Sequence, residues 1–181
     1  MNFLELVSLR RSVRTFENKP VPREELEKCV EAARLAPSAC NSQPWHFIIV
    51  DDPVLLSKIA PLTSLPPSKL NKFVKNAPVL IALVSEKQNL SAKLGSIALN
   101  KPLELIDIGI AAEHFCLQAA ELGIGTCMLG WLQEKKVKKL LGVPKDRSLP
   151  LLIAAGYPAT DMKSKTPKQR KSLSDILSYG P

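Results

Sequence analysis

Apolar and polar positions along this chain switch between two periods. Asn2 and Glu5 have the spacing of a capping box, and Phe3, Leu6, Val7 and Arg10 share one helical face, which predicts a helix over 2–11. Leu26, Cys29, Val30 and Ala33 follow the i, i+3, i+4, i+7 pattern. Pro22 near the start, Glu24 and Glu25 in the first turn and Pro37 as a stop predict a second helix over 23–36. HFIIV (46–50) and VLIALV (79–84) are short apolar runs between turn residues, the pattern of buried strands, and TSLPPSK (63–69) reads as loop.

The longest helical pattern runs from Leu103 to Leu122. Its polar positions Glu104, Asp107, His114, Gln118 and Glu121 draw one narrow stripe, and the remaining surface is apolar except mainly at Glu113. A helix apolar on most sides is buried on most sides, which in a chain this short points to a central helix shared with a second subunit. Gly123 is placed to cap it. TCML (126–129) predicts a strand, 134–141 a helix ending at Gly142, and LPLLIAAGY (149–157) a further strand. Strands mixed with helices predict an α+β fold, a central mixed or antiparallel sheet flanked by helices. Residues 158–181 form a polar, basic, Pro-containing tail with a weak turn of helix near 174–178. Such a tail is either disordered or lies along something.

A chain of 181 residues is most simply one domain. No apolar run reaches the roughly 18 residues that span a bilayer, and the N-terminus lacks the layout of a signal peptide. These features predict a soluble, cytoplasmic protein with no membrane partner. The four cysteines have no C-x-x-C spacing, and Cys29 and Cys116 sit on apolar helical faces as small hydrophobes. With two histidines in the chain, no metal site is expected. The net charge of +8 suits nucleic acid, a membrane surface or a small polyanion. Lys135, Lys136, Lys138 and Lys139 interleave with Val137, Leu140 and Leu141 as the solvated face of a short helix, and no aromatics are interleaved with the basic runs, so nucleic acid is the weakest of these partners.

RRSVRTF (10–16) holds three of the seven arginines. With Pro20 and Pro22 close behind, residues 12–16 are expected to be extended, so Arg10, Ser12 and Arg14 could share a face. Arginine offers a planar fork to a phosphate and serine adds a hydroxyl. The plainer reading is that Arg10 and Arg11 complement a helix C-terminus, which leaves Ser12 and Arg14 without a role. KTPKQRKSL (165–173) repeats the spacing with Lys168 and Arg170, which could close on the same anion. APSACNSQPWHF (36–47) supplies amides and hydroxyls without an acid or base, suited to holding a polar ring edge or sugar, or else to a well-capped turn anchored by Trp45. ELGIGTCMLGW (121–131) leaves a helix and enters a strand, the reverse of a dinucleotide fingerprint, so Gly125 and Gly130 are read as sites of close backbone approach to neighbours or to a flat ligand. No P-loop, G-x-S-x-G or H-E-x-x-H motif is present, so an enzyme of this sequence would rely on a cofactor for its chemistry.

RRSVRTF, APSACNSQPWHF, AAELGIGTCMLGW and GYP…PKQRKSL, in this order, resemble the FMN-dependent nitroreductase family. The resemblance implies an α+β homodimer with FMN at the subunit interface. It implies that Arg10, Arg11 and Ser12 hold the phosphate and ribityl chain, Arg14 the pyrimidine edge, and Lys168 and Arg170 the same phosphate. Pro37, Ser38, Ala39 and Asn41 would come from the second subunit. Cys127, Met128, Leu129 and Gly130 would lie along the ring, and Asn71 at its edge. The tail would extend over the cofactor or the second subunit. The implied activity is a ping-pong hydride relay from NADH or NADPH through the flavin to a nitroaromatic, quinone or similar acceptor. The family's other branches leave open reductive dehalogenation, flavin destruction or non-catalytic FMN binding. The stretch 85–103, where the family often builds a lid, matches no family pattern.

Overall fold

A computed structural model describes residues 1–64, 70–159 and 168–180. The helices are α1 (Phe3–Leu9), α2 (Arg23–Arg34), α3 (Pro53–Ile59), α4 (Leu90–Leu99), α5 (Leu103–Glu121) and α6 (Glu134–Leu141). The strands are β1 (Trp45–Val50), β2 (Val79–Ser85), β3 (Gly125–Leu129) and β4 (Leu151–Gly156). They form one sheet in the order β1-β2-β4-β3, and every neighbouring pair is antiparallel. Of the two sheet types expected, the antiparallel one is present.

Helices cover both faces of this sheet. On one, α2 and α5 pack through Leu26, Cys29, Phe115 and Ala119 onto Ile81 and Ile153. Phe115 stacks on Phe47 with ring centroids 6.1 Å apart. On the other face, α3, α6 and two 3-10 turns bring Ile59, Val74 and Val137 onto Leu80 and Leu152. All seven residues of β2 are buried, which explains its unbroken apolar run. Each fully buried Leu, Ile or Phe contributes roughly 1.5–3 kcal/mol.

The capping box at Asn2 and Glu5 forms, with both reciprocal bonds at 2.9 Å. Gly142 (φ 67°) and Gly123 (φ 78°) end α6 and α5 in the left-handed region. Near 174–178 the tail makes a 3-10 turn, Leu173–Asp175. Most of the 63–69 loop lies outside the described residues.

Two helices depart from the sequence reading. Helix α3 has seven residues and starts at Pro53 behind Asp52, whose Oδ1 accepts from Leu55 N–H at 2.7 Å. Helix α4 buries only Ala92, so its apolar residues mark no face of this chain's core. Helix α5 is buried along its second half, but Leu105 and Ile106 near its start are about half exposed. Asp107, read as part of the polar stripe, is only 4% exposed. Its Oδ1 accepts from Ala39 N–H at 3.1 Å.

Candidate functional site

The arginine-rich segment lies along the outer edge of β3. Val13 N–H donates to Thr126 C=O at 2.8 Å, and Ser12 forms a parallel bridge with Thr126. Further on, Phe16 bridges Pro158 and Glu17 N–H donates to Tyr157 C=O at 2.8 Å. Residues 12–16 are therefore extended, as expected. Val13 is fully buried, while Ser12 and Arg14 on either side of it are exposed. A Cβ on Gly125 would stand 2.7–2.9 Å from three side-chain atoms of Val13, so the close approach needs glycine. Gly130 differs: a Cβ there would meet nothing within 4 Å, which removes the packing explanation and leaves open space.

Arg10, Ser12 and Arg14 all act on the thiol of Cys127. Burial pushes that thiol up, while Arg14, a hydrogen bond from Ser12 and Arg10 pull it down. Arg14 also lies over the Phe73 ring, its Cζ 6.0 Å from the centroid. Two residues from Phe73, Asn71 sits half-buried at φ 65° and donates its side-chain amide to Thr63 C=O at 2.9 Å. Asn71 thus stands on the segment that reaches Arg14.

Cations from both ends of the chain meet beside α1 and α5. Lys168 Nζ donates to Val7 C=O at 2.6 Å, filling an open carbonyl in the last turn of α1. Its ammonium is pushed below the usual lysine range, first by burial and then by Arg10, Arg170 and Arg11. Glu113 acts on it in the opposite direction and holds Arg10, with Oε1 3.2 Å from Nε. Lys168 thus stands among Arg10, Arg11 and Arg170, a local concentration of positive charge in which Glu113 pairs with Arg10. Arg10 and Arg11 are half-buried and Arg170 is exposed.

The 37–43 loop is tied elsewhere. Ala39 is bonded to Asp107 of α5, and Asn89 of the α4 N-cap bonds both Cys40 C=O and Ser42 Oγ at 2.8 Å. Ser38 Oγ accepts from Gln43 N–H at 2.9 Å inside the loop. Cys40, Asn41 and Gln43 all have φ near 50° (50°, 52° and 47°), and such left-handed conformations cost most in Cys40 and Gln43. Pro37, Ser38, Ala39 and Asn41 are thus held on the α4 side of α5, and the arginine cluster is held at Glu113.

Within β3, the Thr126 carbonyl points to the outer edge to meet Val13 N–H. Strand backbone alternates, so Met128 presents its amide to that same edge, while Cys127 and Leu129 face β4 and Gly130 follows directly after the strand. Cys127 and Leu129 are buried, Met128 is half-buried and Gly130 is exposed. Burial raises Cys29 and Cys116 to about 12, which keeps both thiols protonated and inert, as their helical positions implied. Cys40 is exposed. Among the described residues no His, Cys, Asp and Glu cluster could hold a metal, and no helix is long and apolar enough to cross a membrane.

Sequence reasoning passed over three residues that hold these parts in place. Glu113 had a visible signal, being the acid that breaks the apolar surface of α5. Asn89 had the weaker signal of an N-cap residue ahead of an apolar run. Asp107 had none, because its partner Ala39 lies 68 positions away.

The nitroreductase family model matches residues 7–65 and 65–157. A putative NADH dehydrogenase/NAD(P)H nitroreductase of Archaeoglobus fulgidus is 32% identical over 159 residues, covering 86% of this chain and 84% of that protein. Mouse iodotyrosine deiodinase 1 is 28% identical over 197 residues, covering 97% of this chain and 68% of that one. The solved structure of an FMN-dependent nitroreductase from Clostridium difficile superposes with a TM-score of 0.72 at 28% identity, over 96% of this chain and 94% of that one. The chain belongs to the nitroreductase family, a family of oxidoreductase enzymes.

Proposed function

We propose that this enzyme is an FMN-dependent oxidoreductase that takes electrons from NADH or NADPH and passes them to a small acceptor such as a nitroaromatic or quinone. In this reading it works in the cytoplasm as a homodimer with the flavin between subunits. One observation carries it: Lys168 of the tail donates to the Val7 carbonyl at the end of α1 at 2.6 Å, where Arg10, Arg11 and Arg170 also act on its ammonium, so cations from opposite ends of the chain share one place.

The donor set fits FMN. Its phosphate carries about −1.5 to −2 at neutral pH, which guanidinium and ammonium donors suit. Like charges held close repel, and a bound dianion relieves that repulsion. Arg10, Arg11 and Ser12 would grip the phosphate and the ribityl chain, with Lys168 and Arg170 closing from the tail. Arg14, one alternation further along the same face, would reach the pyrimidine edge and offset negative charge there. The amide of Met128 on the open edge of β3 would donate to the ring, and the bare Gly130 directly after the strand would leave room for it. Asn71 would stand at the ring edge. When bound, FMN supplies the two-electron chemistry that no side chain here provides.

The 37–41 segment would come from the second subunit. Asp107 and Glu113 are six residues apart on α5, so their side chains project roughly 120° apart and about 9 Å along the axis. The loop is tied to the first and Arg10 to the second, so within one copy they sit on different faces of the helix. Exposed Leu105 and Ile106 on α5, Leu4 on α1 and Ile176 in the tail offer apolar surface for a partner.

The test is reconstitution. Purified protein titrated with FMN should bind it and quench its fluorescence, and anaerobic NADH or NADPH should bleach the bound flavin. Protein that binds no FMN ends the reading, and bound flavin that neither nucleotide reduces leaves a non-catalytic binder. The likeness to iodotyrosine deiodinase 1 favours reductive dehalogenation as the second reading. Iodide released from iodotyrosine, with nitroaromatics and quinones inert, would select it.

A further inference from the structure

We infer that Asn89 is a positioning residue that locks the 38–43 loop to helix α4, so that order in α4 and the shape of the loop are one equilibrium. Its consequence for cofactor affinity rests on the flavin reading above.

Asn89 makes bonds in three directions. Its Oδ1 accepts from Ala92 N–H at 2.9 Å, capping α4. Its Nδ2 donates to Cys40 C=O at 2.8 Å, and its backbone N–H donates to Ser42 Oγ at 2.8 Å. The same residue therefore begins a helix and clamps a loop 47–49 positions upstream.

Each partner lacks what the other supplies. Helix α4 has ten residues and buries one, Ala92, while Leu90, Leu94, Ile97 and Leu99 are each more than half exposed. Isolated helices shorter than about 12–15 residues are marginal in water, so this one needs its cap and its anchor. The loop has the converse problem. Cys40 and Gln43 hold left-handed conformations that β-carbon-bearing residues resist, and such conformations persist only where surroundings impose them. Asp107 imposes the position of Ala39 from the α5 side, and Asn89 imposes the positions of Cys40 and Ser42 from the α4 side. If α4 unwinds from its first turn, the second clamp goes with it. Asn41 sits between the two clamped positions and is one of the residues assigned to the flavin.

The side chain's two roles can be separated. Asn89→Asp keeps an oxygen for the cap and removes the amide donor to Cys40. Ser42→Ala removes the other bond. Asn89→Ala removes the cap and the donor together. Hydrogen exchange and FMN titration on the full-length chain then read the link. In Asn89→Asp the amides of α4 should stay protected within about twofold, while those of Asn41, Ser42 and Gln43 exchange roughly two- to tenfold faster, as one lost hydrogen bond predicts. The FMN dissociation constant should rise by a similar factor. Asn89→Ala should loosen helix and loop together, and the effects of Asn89→Asp and Ser42→Ala should combine less than multiplicatively.

A faster loop with an unchanged FMN constant overturns the consequence for cofactor affinity and leaves the mechanical link standing. Loop exchange unchanged in Asn89→Asp overturns the link. So does a uniform rise in exchange across the sheet, which marks a global loss of stability. Wild-type protein that binds no FMN removes the flavin reading, and the exchange result still decides the link.

Discussion

Replacing Gly125 by alanine tests how the proposed cofactor segment is held. The new Cβ would lie 2.7 Å from Val13 Cγ2, 2.8 Å from Cβ and 2.9 Å from Cγ1. Carbon atoms pack at about 3.5–4.0 Å, so the shortfall is roughly 1 Å. A new rotamer of Val13 does not help, because its own Cβ is among the atoms struck. Residues 12–14 must move off β3 as a unit. A shift of about 1 Å takes the 2.8 Å bond from Val13 N–H to Thr126 C=O past the useful limit of about 3.2 Å. Overpacking of this kind costs about 1–3 kcal/mol. At roughly 2–4 °C per kcal/mol for a chain of this size, Tm should fall by about 3–10 °C. Ser12 and Arg14 flank the displaced residue, so FMN affinity should fall about tenfold, the value of one weakened charge-assisted bond.

Two second-site changes sharpen the test. Adding Val13→Ala leaves the 2.8 Å clash with Cβ, whereas adding Val13→Gly removes all three contacts. Only the glycine variant should restore FMN binding, and it should do so at reduced stability because a buried side chain is lost. Gly130→Ala is the control, since its Cβ would enter open space: Tm should hold while FMN affinity drops. Calorimetry and fluorescence titration read both quantities. The reasoning fails if Gly125→Ala keeps wild-type Tm and affinity, or if Val13→Ala rescues as well as Val13→Gly.

Arg10→Ala and Lys168→Ala should each weaken FMN binding by about ten- to a hundredfold and flatten its salt dependence, as read by titration across a salt series. An uncharged flavin lacking the phosphate should show neither effect. Asp107→Asn keeps the Oδ1 acceptor for Ala39 and removes a charge that burial disfavours. Burial, and secondarily Glu104, raises the Asp107 carboxyl above its unfolded value of about 3.9, so wild type loses this group's contribution as pH rises through the folded pKa. The variant should therefore be more stable by roughly 1 kcal/mol near neutrality, with the gap closing toward about pH 4 in urea unfolding. Ile106→Glu places a charge on the exposed apolar start of α5, and sedimentation should show a monomer that has lost tight FMN binding.

What the sequence revealed follows from the range of the forces involved. Helix α5, strands β1 and β2 and helix α6 were legible because their periodicity is a local consequence of burial. Helix α4 was not, because Leu90, Leu94 and Ile97 face away from this chain's core and its one buried residue is an alanine. Helix α3 carried a readable start at Asp52-Pro53 but is barely two turns long. The chemistry of RRSVRTF was legible as composition, and its extended shape followed from the prolines. Its pairing with Thr126 and with residues 157–159 was not, since those partners lie more than a hundred positions away. Asp107 misled for the same reason. A polar residue on a stripe gives no sign of the distant amide that buries it.

The arrangement also bears on how many copies a complete site requires. Helix α5 acts as a ruler with two marks, Asp107 for the strained loop and Glu113 for the arginines. Both marks sit on one helix, about 9 Å apart along its axis and on different faces. In the homodimer proposal they reach one flavin from different copies. A twofold axis that brings one loop to the neighbour's cations must bring the neighbour's loop back, since an isologous interface is reciprocal. That proposal implies two equivalent sites per dimer, with FMN affinity that includes the free energy of association. Dilution should release cofactor and separate subunits over the same concentration range, because each site is half-built from either chain alone.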